Sequence, residues 1–360
     1  MTADDAPVEA PAPKKKMSWW KVGLRVLLVV GVLAVSAWVL LKAFDDLDFD
    51  AVFDALKSLD DAEILALIAM WILWVASQGL LTASLITQLP VRRGVLAFLG
   101  PAAVGALVPG PSDLPVRYRM LTSWGRAPSE ATVAVAAGGL FSIGIKLLLP
   151  VIAAVGLLVT GAELGGALKT VVIVVLAIGG GAFVLALILG SRRATERFGR
   201  LLDPVWRALL RLMRKPDRED LGTRLLASRE SALARLKDRW LLAAWGTLLT
   251  AGTKFALLLM AIRFTGVPDD VLPWTQVFVA YALVSGLTVV PITAGDAGVS
   301  DVAFIAMLTA SAGDEHVNTI TAGVILYRVI TWLLVIPVGL GALGVWQRGV
   351  RREAAAAAPA

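Results

Sequence analysis

Six apolar runs of about 20 residues or more constrain this chain before any other feature does, because about 20 apolar residues of helix cross the hydrocarbon core of a bilayer. They fall roughly at 20–41, 63–88, 131–160, 168–190, 239–263 and 317–346. Lipid offers no partner to a backbone amide or carbonyl, so a spanning segment pairs these groups internally, as a helix. The expected fold class is therefore all-α and polytopic. Composition agrees: 58% of the 360 residues are hydrophobic and 17% charged, against about 25% charged in an ordinary soluble domain. Two further apolar regions, roughly 94–122 and 274–311, are interrupted, each with an apolar arm, a Pro/Gly break and a second arm. The first contains "ALVPGPSDLPVRYRML" at 106–121, where three prolines, an aspartate and two arginines stand inside otherwise membrane-compatible sequence. Two opposed half-helices fit such a region better than one straight span.

Charge placement decides how the broken regions lie. Residues 191–238 are dense in Arg and Lys, Arg239 follows, and the C-terminal "QRGVRRE", Arg92, Arg93 and the Lys14 to Lys16 cluster are also basic. Such segments stay on the cytoplasmic side. The stretches "KAFDDLDFDAVFDALKSLDDAE", "TGAELGGALK", "FTGVPDDVLP" and "SAGDEHVN" are acidic or nearly neutral, as outer segments are. Three crossings carry a cytoplasmic N-terminus outside and three return it. The sides agree only if 94–122 enters and leaves from the cytoplasm and 274–311 from outside, as re-entrant hairpins; two full hairpin crossings, each passing twice, would preserve the same sides. The expectation is thus a cell-membrane protein with both termini cytoplasmic. Its domains are a disordered tail at 1–18, a transmembrane domain at 19–347 with a basic loop at 191–238, and a low-complexity tail at 348–360. The run from Trp19 to Leu41 exceeds a signal-peptide core and reads as an uncleaved anchor.

The same sequence excludes several chemistries. With no cysteine and a single histidine, His316, neither thiolate nor multi-histidine metal sites can form. No nucleotide loop or nucleophile triad is present, so no metal, cofactor or nucleic-acid partner is expected, and no enzymatic activity. The basic loop alternates Arg with Leu in "RFGRLLDPVWRALLRLM"; it is either a surface helix attracted to anionic lipid or a connector obeying the charge bias. Twelve tryptophans, several near span ends (Trp19, Trp20, Trp240, Trp274, Trp346), fit interfacial anchoring.

An internal repeat follows from the breaks. "VPGPSDLPV" at 108–116 and "VPITAGDAGV" at 290–299 share Val-Pro, a small-residue break and an Asp followed three residues later by Val. The order of long crossing, broken region and long crossing recurs at an offset near 180 residues, giving repeats of about 19–160 and 168–347. An odd number of true crossings per unit inverts the second against the first, and inverted repeats with broken helices place their sites near the midplane at the repeat interface.

These segments also resemble a known family. "PITAGDAGVSD" at 291–301 is similar to the "PITPGGLGVVE" element of the flippase-like family that includes the transmembrane region of lysylphosphatidylglycerol synthases. The earlier break resembles that family's "LPGRAGELVR", with Pro109, Gly110, Val116 and Arg117 in register, and "ILYRVITWLL" at 325–334 resembles its final-helix Tyr-Arg element, Tyr327 and Arg328. The likeness spans about residues 20–347. Asp113 and Asp296 stand where the family usually has Gly, Leu114 replaces its first Glu and Asp301 its second. The resemblance implies transbilayer movement of a lipid: a phospholipid, an aminoacylated lipid or a polyprenyl-phosphate-linked lipid. The aminoacyl-transferring domain of some relatives has no room here, so lysyl-lipid synthesis is not implied. A membrane enzyme acting on a lipid-linked phosphate and a non-transporting scaffold are the alternatives.

Charges inside a bilayer cost about 2.5–3.5 kcal/mol each on insertion scales and mark function when they persist. Arg117 and Arg119 follow the first break and either grip a phosphate bidentately or mark the cytoplasmic headgroups. Asp113 either caps the half-helix after Ser112 or meets substrate or proton. Asp296 and Asp301, five residues apart, would face different sides of one helix; Asp301 is the stronger candidate for coupling or ion pairing. Arg328 lies about 16 Å into the last crossing at 1.5 Å per residue, and Lys146 and Lys254 are similarly deep. Each needs an anion, supplied by Asp301 or Asp296 as a fixed ion pair or by a lipid phosphate. Pro109, Gly110, Pro111, Pro291, Gly295 and Gly298 form the hairpin breaks, while Pro150 and Pro337 are kink sites.

Overall fold

The computed structural model describes residues 49–108, 112–160, 239–289, 296 and 298–356. The expected crossings at 20–41 and 168–190, the basic loop at 191–238, both tails and break residues Pro109, Gly110, Pro111, Pro291 and Gly295 lie outside this set.

Every element among the described residues is helical. A short amphipathic α1 (Phe49–Lys57) precedes α2 (Asp61–Ser84). Asp60 starts α2 by accepting from the Glu63 amide at 2.8 Å, and Glu63 accepts from the Asp60 amide at 3.1 Å; this reciprocal capping satisfies two otherwise orphan donors. The first broken region becomes α3 (Val91–Leu107) and α4 (Asp113–Ser123), 17 and 11 residues long. Then comes α5 (Pro128–Thr160). After the undescribed stretch, α6 (Trp240–Phe264) repeats the pattern, and the second broken region becomes α7 (Trp274–Leu287) and α8 (Val299–Ala312), 14 residues each. At 1.5 Å per residue none of these four arms reaches about 30 Å, the thickness of a hydrocarbon core.

The last crossing is composite. A 3-10 turn at Asp314–His316 leads into α9 (Val317–Arg328), a π turn (Val329–Leu333) and α10 (Val335–Ala356). The Leu334 amide donates to the Val329 carbonyl at 2.8 Å, closing the wide turn. Pro337 has no amide to give the Leu333 carbonyl, and its ring crowds that oxygen; the wide turn just upstream relieves the clash within a continuous helix. Among the described residues, α2, α5, α6 and this composite are long and apolar enough to cross a membrane.

Packing follows a crossed pattern. The crossings α2 and α6 pack against each other, while α3 lies on α10 and α7 lies on α5. The first arm of each broken region thus rests on the last crossing of the other half. Glycines set the closest approaches: a Cβ on Gly94 of α3 would lie 2.2 Å from the Gly79 carbonyl oxygen of α2, and one on Gly339 of α10 would lie 2.3 Å from that of Leu99 in α3. Contacts this close between backbones are what small residues permit in membrane helices. The core concentrates where α6, α7 and α9 meet, around Leu257, Leu258, Ile262, Leu283, Ile320 and Val324. A smaller cluster of Ile86, Leu89, Ala97, Leu121 and Ala131 closes the other end. Ile64, Leu65, Ile72, Leu140, Leu148 and Trp245 are exposed on the long helices, an apolar outer surface that suits lipid rather than water.

Candidate functional site

The residues flanking both breaks line one cavity of about 550 Å³. Its walls are the C-terminal half of α2, the inner ends of α3 and α4, α5 as far as Lys146, α6 as far as Lys254, Thr288, Val289 and Asp296 at the second break, and Arg328 to Val335 of the last crossing. Pro101 in α3 frees the Ala97 carbonyl on a helix whose Phe98, Ala102 and Gly105 form part of this wall. The volume falls within the roughly 300–1,000 Å³ of small-ligand sites.

Six charged side chains line it among the described residues: Arg117, Lys146, Lys254, Arg328, Asp113 and Asp296. Four are cations and two are carboxylates. Asp113 is the first residue of α4, and its Oδ2 lies 3.7 Å from Arg117 Nη2 one turn on. Asp113 is the first residue inside α4 and not its cap; Ser112 stands at the cap position, makes no side-chain capping bond, and its hydroxyl donates back to the Val108 carbonyl at 2.8 Å. An acidic group in the first turn also suits the helix dipole. Arg117 Nε is buried with no hydrogen-bond partner among the described residues.

Lys146 links the two halves. From α5 its Nζ donates to the Thr288 carbonyl at 2.7 Å, just past the end of α7, and lies 3.7 Å from Asp296 Oδ2. Asp296 holds a φ of 59°, a left-handed conformation that Asp tolerates better than most residues. That turn sets its carbonyl toward Arg328 and its carboxylate toward Lys146.

Arg328 braces the start of α8. Its Nε donates to Asp301 Oδ1 at 2.7 Å, and its Nη2 donates to the Asp296 carbonyl at 3.2 Å and to the Ser300 hydroxyl. Asp301 Oδ2 in turn accepts from the Gly298 amide at 3.0 Å, and Gly298, at φ 83°, occupies a conformation that favours glycine. Both carboxylate oxygens of Asp301 are therefore engaged, and the residue is buried at 7% exposure. Because Asp296 precedes α8 rather than lying on it, the two aspartates approach the same arginine instead of facing opposite sides.

Lys254 differs from the other three cations. No carboxylate stands within ion-pair range among the described residues; its Nζ lies 5.9 Å from the centre of the Trp74 ring. Neutral polar groups surround this part of the wall. Gln78, Ser142, Thr247 and Thr250 all line the cavity, and the Ser77 and Thr250 hydroxyls meet at 3.0 Å.

Two of the expected site residues lie elsewhere. Tyr327 packs in the core at 4% exposure, edge-on to Phe304 with ring centres 5.9 Å apart; its neighbour Arg328 takes the cavity face. Arg119 is exposed on α4, two residues from Arg117 and so on another side of the helix. Sequence reading also passed over Trp74, Gln78, Ser142, Thr250 and Trp332. Their signal is weak, since isolated polar residues in a helix are readily satisfied by its own backbone. Among the described residues, no three His, Asp or Glu side chains group as metal ligands.

Long apolar helices packed around a charged cavity define a multi-pass membrane protein. The family model for the lysylphosphatidylglycerol synthase TM region matches residues 28–339, and the chain belongs to that family, which indicates a role with membrane lipids. No curated protein matches it.

Proposed function

We propose that this protein moves an anionic, phosphate-bearing lipid headgroup across the bilayer, as a transporter and not an enzyme. The observation that carries the reading is the cavity itself: among the described residues, four cations against two carboxylates, with residues flanking both breaks in its wall. A charge held at that depth needs either a fixed partner or a passing one, and an anionic headgroup supplies the second while its apolar tail stays in the bilayer.

The crossed packing supports two inverted repeats with opposed re-entrant hairpins, since each hairpin arm rests on the other half's last crossing. By charge placement, α2 runs inward while α5 and α6 run outward. The lining residues then lie in the cytoplasmic half of α2 and extend from the cytoplasmic halves of α5 and α6 to just past their midpoints at Lys146 and Lys254, and the Leu257 to Leu283 core closes the outer side. This arrangement is the cytoplasm-facing state of an alternating-access cycle. Opening outward would part α7 from α5 and so break the Lys146 contacts to Thr288 and Asp296, a contact that a headgroup phosphate can replace.

A leaflet-accessibility assay in proteoliposomes tests this. With fluorescent phosphatidylglycerol, aminoacylated lipid and polyprenyl phosphate as separate probes, the protein should accelerate loss of at least one from the inner leaflet. Folded protein of known orientation that accelerates none would overturn the reading.

A further inference from the structure

We infer that the site takes a lipid whose headgroup carries one net negative charge, a phosphodiester without a compensating ammonium, and that Lys254 is the residue that selects it. This rests on the flipping reading above and goes beyond it by fixing the charge of the cargo.

Arg117 faces Asp113 at 3.7 Å, Lys146 faces Asp296 at 3.7 Å, and Arg328 holds Asp301 at 2.7 Å. Three cations and three carboxylates cancel. Lys254 remains: among the described residues it has no ion-pair partner, and its ammonium lies 5.9 Å from the centre of the Trp74 ring. The other residues of the second break, Val290 to Gly295 and Ala297, and those of the first, Pro109 to Pro111, carry no ionisable side chain, so the breaks add no carboxylate beyond Asp296. Among the described residues, four lining cations less the two lining carboxylates and Asp301, which lies behind Arg328, leave one positive charge at a cavity walled by apolar helices. An uncompensated ion in such a place is strongly disfavoured, and a monoanion cancels it. A dianion over-fills the site, and a net cation adds repulsion.

A second observation points to the same ligand chemistry. Trp74 Nε1, Trp332 Nε1 and Arg117 Nε are buried donors with no acceptor among the described residues, and all three side chains belong to the cavity wall. Unused N–H groups call for an oxygen-rich ligand with acceptors to spare, as a phosphodiester has. A lysyl ester of phosphatidylglycerol brings the same phosphate but two ammonium groups, for a net charge of plus one. Polyprenyl phosphate, a monoester, carries between one and two negative charges near neutral pH.

The test compares these lipids in proteoliposomes with wild-type protein, Lys254→Met and Lys254→Glu, each first shown to be monodisperse in detergent. Wild type should move phosphatidylglycerol about tenfold or more faster than lysyl-phosphatidylglycerol, since like-charge placement costs several kcal/mol and each 1.4 is tenfold, and faster than polyprenyl phosphate. Lys254→Met should lose most of the phosphatidylglycerol rate. Lys254→Glu, which turns the site from one positive to one negative charge, should reverse the order and favour the lysyl lipid. Equal wild-type rates for all three lipids, or an order unchanged in Lys254→Glu, would overturn the inference while leaving flipping intact. No acceleration of any lipid by wild type would instead remove the reading on which it rests.

Discussion

The two aspartates that approach Arg328 have different work. Asp301 spends one oxygen on Arg328 and the other on the Gly298 amide, so it holds the start of α8 against α9. Breaking a buried pair leaves an uncompensated charge at a cost of about 3–5 kcal/mol. Asp301→Asn should therefore lower the melting temperature in detergent by several degrees. Asp296 faces the cavity through a looser contact to Lys146 at 3.7 Å; Asp296→Asn should leave the melting temperature within about a degree or two and change transport instead. A larger stability loss for Asp296→Asn than for Asp301→Asn would reverse these roles. The charged members of the site were legible in the sequence because a charge inside a bilayer persists only for a reason. Asp113, Arg117, Lys146, Lys254, Asp296 and Arg328 all reach the cavity wall on that logic. Tyr327 came from resemblance alone and turned into the core, and Gln78 and Thr250 gave no signal because hydroxyls and amides in apolar helices are ordinary.

At the level of elements, the interruptions were plain from Pro109 to Pro111 and Pro291, since proline ends a helix wherever its missing amide is not accommodated. The π turn was not, although Pro337 stood as a kink site; whether proline bends, breaks or widens a helix depends on what surrounds it. Nor was the crossed pairing of α3 with α10 and α7 with α5; α3 meets α10 where Gly339 lies on Leu99, and it meets α2 where Gly94 lies on the Gly79 carbonyl. A side chain at Gly94 has no room beside that carbonyl, and overpacking costs about 1–3 kcal/mol or more. Gly94→Leu should separate α2 from α3, seen as aggregation on size exclusion in detergent, whereas Gly144→Leu, where an added Cβ meets nothing within 4 Å, should run like wild type. The hairpin expectation has its own check. In this cysteine-free chain, a single Ser112→Cys should react with a membrane-impermeant thiol reagent from the cytoplasmic side; labelling only from outside would invert the proposed topology.

For the whole molecule, everything turns on whether the cavity is a passage. Gly139 lies on its wall, and a Cβ there meets no atom within 4 Å, so a large side chain can grow into the space without disturbing the helices. The direct measurement is the rate at which fluorescent phosphatidylglycerol leaves the inner leaflet of proteoliposomes, with wild type set against Gly139→Trp at equal reconstitution. The account predicts clear acceleration over protein-free vesicles by wild type and a return to the protein-free rate with Gly139→Trp, at an unchanged melting temperature. Acceleration undiminished by the tryptophan would contradict it, as would a wild-type rate no faster than lipid alone.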